Sequence, residues 1–125
     1  MKWLSRELIT SPIYIGLATT EKQFKSALKK LKIPKNDYPD FLKSPHANAT
    51  AHFFTCEGKE AVIVCIHKKH KGISRIQVDC LLVHEAVHIW QAIRENIGEK
   101  YPSHEFEAYS IQSIAQDLIT AYHKE

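Results

Sequence analysis

The sequence predicts a small α+β domain, with a sheet of about three strands packed on two long C-terminal helices. Three observations carry this expectation. Two strand-like runs, Thr50 to Cys56 and Lys59 to His67, are separated only by Glu57 and Gly58, which reads as a β-hairpin. Ser74 to Gly98 repeats apolar residues at three- and four-residue spacing, as an amphipathic helix does. His104 to His123 repeats them again after a turn containing Pro102.

Taken in order, Trp3, Leu4, Leu8 and Ile9 suit a short helical turn at the N-terminus. Ile13 to Leu17 is apolar, branched and aromatic, and predicts the first strand. Thr20 with Gln23 reads as a capping box, and Phe24, Ala27, Leu28 and Leu31 follow with helical period. Lys22, Lys25, Lys29 and Lys30 fall on the opposite, solvated face of that helix.

Pro34, Pro39 and Pro45, interleaved with Asn36, Asp37, Asp40, Ser44 and Asn48, mark residues 33–49 as a loop. Tyr38 and Phe41 are its natural anchors to the core. In the hairpin, a two-residue turn sets Cys56 against Lys59 and Cys65 opposite Thr50, too far apart to bridge the thiols. Val62 to Ile66 is apolar on both sides, so this strand should be covered on both faces. His67 to Gly72 is a basic, solvated loop.

Ser74 and Gln77 form a further capping box, and Gly98 reads as the stop of the helix between them. Along it Ile76, Cys80, Val83, Val87, Trp90, Ile93 and Ile97 recur at three- and four-residue spacing. For the last helix the inward stripe is Ala108, Ile111, Ala115, Leu118, Ile119 and Tyr122.

A chain of 125 residues supports one domain, residues 1–125, with a single modest core. Its 44% hydrophobic and 25% charged residues exclude a disordered or fibrous chain. The longest apolar run, Ala61 to Ile66, falls far short of the roughly 20 residues that cross a bilayer. The N-terminal MKWLSRELIT mixes charge into its apolar residues, unlike a signal peptide. Three cysteines without CxxC spacing argue against a disulfide framework and against a cysteine zinc site, and suit free thiols in a reducing cytoplasm. The basic clusters Lys29, Lys30, Lys32, Lys35 and Lys68, Lys69, His70, Lys71 read as solvated faces. With a net charge of only +3 and no interleaved aromatics, they argue against a nucleic-acid partner.

The chemistry lies in Val83 to Gln91, VHEAVHIWQ. His84 and His88 stand four residues apart on one helix face, where two imidazoles can reach a single ion. Glu85 projects about 100° from His84, able to touch a water on that ion without ligating it. This HExxH pattern is what a zinc hydrolase needs: two nitrogen ligands, a third from elsewhere, an open position and a base. Leu81, Leu82, Val83, Ala86, Val87, Ile89 and Trp90 surround the pair, so burying it without an ion would be costly. The longer form HExxHxxGxxH is excluded by Gln91 and Arg94. What remains for a third ligand is HEFEAY, holding His104, Glu105 and Glu107. Helical geometry does not choose among them: the two glutamates lie about 200° apart on opposite borders of the apolar stripe, with His104 nearer its middle.

HEAVH followed by Glu105-Phe106-Glu107-Ala108-Tyr109 resembles the gluzincin group of zinc metallopeptidases. Size and element order are similar to the minigluzincins, and GEKYPSHEFEAYSIQ is similar to small proteins of phages and prophages. The resemblance implies a zincin-like domain with zinc held by His84, His88 and Glu105, Ala108 being the small residue after the ligand. Tyr109 stands where many gluzincins have an aspartate that orients a ligand, a part left to Gln91, Glu107 or Gln112. It further implies a peptide or protein substrate, added to an edge strand of the sheet. Glu85 would act as general base, with Tyr101, Tyr109 or His104 as candidate oxyanion donors and Tyr14 and Phe53 as candidate substrate contacts. Two alternatives stand beside this: a catalytically silent zinc-stabilised binding or structural protein on the same fold, and a zinc-assisted hydrolase of a non-protein amide.

Overall fold

The computed structural model describes residues 1, 3–4, 11–68 and 72–125. Its elements are β1 (Ile13–Ala18), α1 (Glu21–Lys30), a 3-10 turn (Lys35–Asp37), β2 (Thr50–Cys56), β3 (Lys59–Cys65), α2 (Arg75–Asn96) and α3 (His104–Lys124). The sheet runs β1-β3-β2, with β1 parallel and β2 antiparallel to the central β3. This is a small α+β domain with a mixed sheet and three helices.

The hairpin register is the expected one, with Cys56 opposite Lys59 and Thr50 opposite Cys65. Glu57 and Gly58 close it with φ of 51° and 77°, the left-handed pair that matches the twist of the strands. β3 is covered on both sides, and Val62, Ile63, Val64 and Cys65 are inaccessible to solvent. One face packs Ile63 and Cys65 against Phe24, Ala27 and Leu28 of α1 and Phe41 of the long loop, which Tyr38 also helps to anchor. The other packs Val62, Val64, Ile15 and Leu17 against α2 and α3.

Both ends of α2 are built by local chemistry. The Ser74 hydroxyl accepts from the Gln77 amide at 3.1 Å while the Gln77 side chain accepts from the Ser74 amide at 2.8 Å. At the far end Gly98 (φ 71°) turns the chain so that its own N–H and that of Glu99 return to the Glu95 and Arg94 carbonyls. α3 starts on Ser103, whose hydroxyl accepts from the Phe106 amide. Its last turn is tied to the rest of the chain. Lys68 donates to the Tyr122 carbonyl, the Tyr122 hydroxyl donates back to the Lys68 carbonyl at 3.0 Å, and His123 Nε2 meets Asp79 at 2.7 Å.

Several expectations are corrected. Trp3 forms an antiparallel bridge with Gly16, and Leu4 donates to the Ile15 carbonyl, so these two residues are extended; Leu8 and Ile9 lie outside the described residues. At α1, Thr20 caps the helix, but the Gln23 side chain accepts from Thr19 and not from Thr20. The apolar spacing of α2 does not coincide with its inward face. Val78, Leu82, Glu85, Ala86, Ile89, Trp90 and Ile93 are buried, whereas Ile76, Cys80, Val83 and Ile97 are exposed. This helix is apolar nearly all round, so spacing alone was compatible with more than one inward direction. On α3, Ala108 is exposed while Ser110 and Ile114 join Ala115, Leu118 and Tyr122 inside. Among the described residues no helix is long and apolar enough to cross a membrane.

Candidate metal centre

Successive residues of α2 are about 100° apart, which sorts its side chains into three directions. Val78, Leu82, Ala86, Ile89 and Ile93 meet the sheet. Val83, Val87 and Trp90 meet α3, where the Trp90 ring lies edge-on to Phe106 at 5.4 Å and Trp90 Nε1 donates to Glu107 at 2.8 Å. His84 and His88 point along the remaining direction, into solvent. The expectation that apolar neighbours bury the pair is therefore corrected. Its neighbours in sequence turn inward, and the imidazoles do not.

The two rings nevertheless converge. His84 Nε2 and His88 Nε2 are 3.1 Å apart. Two nitrogens each about 2.05 Å from a tetrahedral ion are separated by roughly 3.3 Å, so the pair already stands near chelating distance. Gln91 Oε1 lies 3.2 Å from His88 Nδ1. A carboxamide oxygen only accepts, so this contact suits the His88 tautomer with its proton on Nδ1, the one that offers Nε2 to an ion. A single proton is shared across the two Nε2 atoms at that distance, and an ion would take its place. Gln91, named from the sequence among three candidate orienting residues, is the one in contact.

Glu85 is the buried member of the motif, at 7% exposure. Burial pushes its carboxyl above the ordinary carboxylate range, and the charges that His84, His88 and His52 carry when protonated pull the other way. A carboxyl whose proton affinity burial has raised, beside two convergent imidazoles, is a better proton acceptor than a solvated one.

The third ligand is not assembled. Among the described residues no three His, Cys, Asp or Glu side chains are grouped to hold a metal ion. α3 docks on the Val83, Val87 and Trp90 side, roughly 115° around α2 from the histidine pair, so its first turn approaches a different face. Glu105 and His104 are exposed there, and Glu107 is engaged by Trp90. Tyr101 and Tyr109 are both well exposed. Phe53 is half exposed on β2, the strand that forms the sheet's edge on that side.

Two relationships had no signal in the sequence. The Asp79–His123 pair joins residues 44 apart, and Trp90–Glu107 depends on how two helices dock. Comparison of the chain with protein-family models, with curated proteins and with solved structures finds no match in any of the three.

Proposed function

We propose that the chain is a zinc-dependent peptide-bond hydrolase on a zincin-like fold. The observation that carries this is the 3.1 Å approach of His84 Nε2 to His88 Nε2, with Gln91 on the second ring and buried Glu85 next in the chain. His84 and His88 would hold the ion, and Glu105 is the carboxylate that the resemblance to gluzincins assigns as third ligand. Bound zinc supplies Lewis-acid polarisation of the scissile carbonyl and a water acidic enough to attack it near neutral pH. With such an ion held by His84 and His88, Glu85 would be the residue to take up a proton and pass it to the departing amine, a part that suits a carboxyl whose proton affinity burial has raised.

The sheet supports a peptide as substrate. β1 has Trp3 bridged to its outer side, while no strand among the described residues pairs with the outer side of β2. An extended segment can pair there backbone to backbone, with Phe53 beside it. The test is a diverse peptide library incubated with zinc-loaded protein and with Glu85→Gln. Cleavage by the first and none by the second, with zinc retained in both, is the expected result.

One observation favours a second reading, in which the fold holds zinc for binding or structural purposes without turnover. α3 docks away from the histidine pair, and a site held by two imidazoles alone is too open to fix a reaction geometry. Absence of cleavage by either protein, with one zinc bound per chain, would select this reading.

A further inference from the structure

The histidine pair of α2 is half of a coordination shell, and we infer that the other half is the same pair on a second copy of the chain, one zinc ion joining two copies about a two-fold axis. This rests on the zinc-binding reading of His84 and His88 and adds a partner to it. The two Nε2 atoms are 3.1 Å apart, and both rings are exposed near the middle of a 22-residue helix. Zinc in a protein is almost always four-coordinate, so two nitrogens leave two positions open. Among the described residues no third His, Cys, Asp or Glu side chain is grouped with them. Glu107 is engaged by Trp90, and Glu105 lies with the first turn of α3, which approaches a different face of α2.

The occupant follows from what the ion lacks. A second copy brings two imidazole nitrogens already set near chelating separation, and a two-fold contact supplies both missing ligands at once. A single donor on some other surface would leave a position empty. Tetrahedral geometry sets the N–N line of one pair at a right angle to that of the other, so the two α2 helices should cross steeply and touch only around the ion. The neighbouring side chains permit this. Gln77, Cys80 and Gln91 share the outward stripe with the pair and are exposed, and none is a carboxylate, lysine or arginine, so like charges do not meet at the crossing. Glu95, on the same stripe, lies about 10 Å beyond His88 along the helix.

The consequence is regulation of the site. With four nitrogens around the ion no position remains for water or a scissile carbonyl, which is the closed shell of a structural zinc site and not the open one of a catalytic site. The dimer is thus the silent form, and a peptide and a second copy compete for the same positions. Helices that cross steeply share too little area to hold together by burial alone. The ion supplies the contact, and its removal should return the chain to a monomer.

The experiment is sedimentation equilibrium of the full chain at tens of micromolar, in chelator and during a zinc titration, with a phosphine reductant keeping the exposed Cys80 reduced. Wild type is run beside His84→Ala and His88→Ala; both positions are exposed, so each variant should keep the wild-type helical circular dichroism. The expected result for wild type is 14.4 kDa in chelator and twice that mass with zinc, the titration ending at one ion per two chains. Each variant should stay at 14.4 kDa throughout. A wild type that takes up one ion per chain and stays at 14.4 kDa overturns the inference and leaves the zinc reading standing. A wild type that binds no zinc overturns both. A dimer already present in chelator, or one that both folded variants still form with zinc, also overturns the inference, because the contact then lies away from the histidine pair.

Discussion

His88 Nε2 lies 3.1 Å from His84 Nε2, and its opposite nitrogen lies 3.2 Å from the Gln91 amide oxygen. One ring is thus oriented before any ion arrives, and the other swings only slightly to join it. Zinc should bind the wild type with His88→Ala removing all tight binding. Gln91→Ala should weaken it about 10- to 100-fold, the usual effect of losing a partner that orients a ligating imidazole. Competition against a chromophoric chelator measures both. Equal affinity of Gln91→Ala and wild type would show that the amide contact has no bearing on the pair.

Glu85 carries a pH signature in the metal-free protein. Burial raises its folded value above the ordinary 4.5, so between the two values the folded chain holds a proton that the unfolded chain has lost. The stability linked to this proton is present below about 4.5 and is lost as pH rises through the folded value. Glu85→Gln avoids ionisation and should melt at a higher temperature than wild type at pH 7, with the gap closing by pH 4. Thermal melts in chelator at both pH values test it, and a gap that does not change with pH would contradict the assignment of burial as the cause.

What the sequence made legible was local. Glu57-Gly58 sets the hairpin register, Ser74 with Gln77 starts α2 and Gly98 ends it, because each is a bond or a φ preference within a few residues. HExxH is local in the same sense, and its two imidazoles do converge. The orientation of α2 was not legible, since apolar side chains nearly encircle it and only docking against β3 and α3 decides which are covered. Trp3 against Gly16 needs a contact that no periodicity encodes. The setting of Glu105 depends on the angle at which α3 meets α2, a tertiary quantity.

The clamp at the end of α3 offers a stability test. Tyr122 is buried, and its hydroxyl donates to Lys68 while Lys68 lies over its ring, 4.2 Å from the centroid. Tyr122→Phe keeps the ring and removes one hydrogen bond, leaving the Lys68 carbonyl to water. A cost of about 1 kcal/mol is expected in urea unfolding. Tyr122→Ala removes the ring contacts as well and should cost about 3 kcal/mol or more. If the two variants unfold alike, the ring packing is not what secures this corner.

Free thiols grade by burial. Cys65 is inaccessible and burial pushes its thiol up, so it is protonated and shielded; Cys80 is exposed. In dilute native protein, iodoacetamide should label Cys80 fastest and leave Cys65 unlabelled until urea unfolds the chain. Mass spectrometry of peptic fragments reads the order, and early labelling of Cys65 would mean that β3 is not covered on both faces.

Glu107 and Glu105 differ by two residues and should differ in every consequence. Trp90 is 2% exposed, and its indole N–H has Glu107 as acceptor at 2.8 Å. Glu107→Ala withdraws that acceptor from a buried donor, which costs about 1–3 kcal/mol. Glu107→Gln keeps an oxygen in place and should recover most of the loss. Glu105 is exposed with the first turn of α3, where substitution by alanine should move stability by no more than about 0.5 kcal/mol. Zinc affinity then separates their chemistry. If α3 shifts to bring Glu105 to an ion at His84 and His88, Glu105→Ala weakens zinc while leaving the metal-free melt unchanged, and Glu107→Ala does the reverse. Should Glu105→Ala bind zinc as wild type does, the carboxylate on α3 is not a ligand, and the two-imidazole site without turnover becomes the reading to pursue.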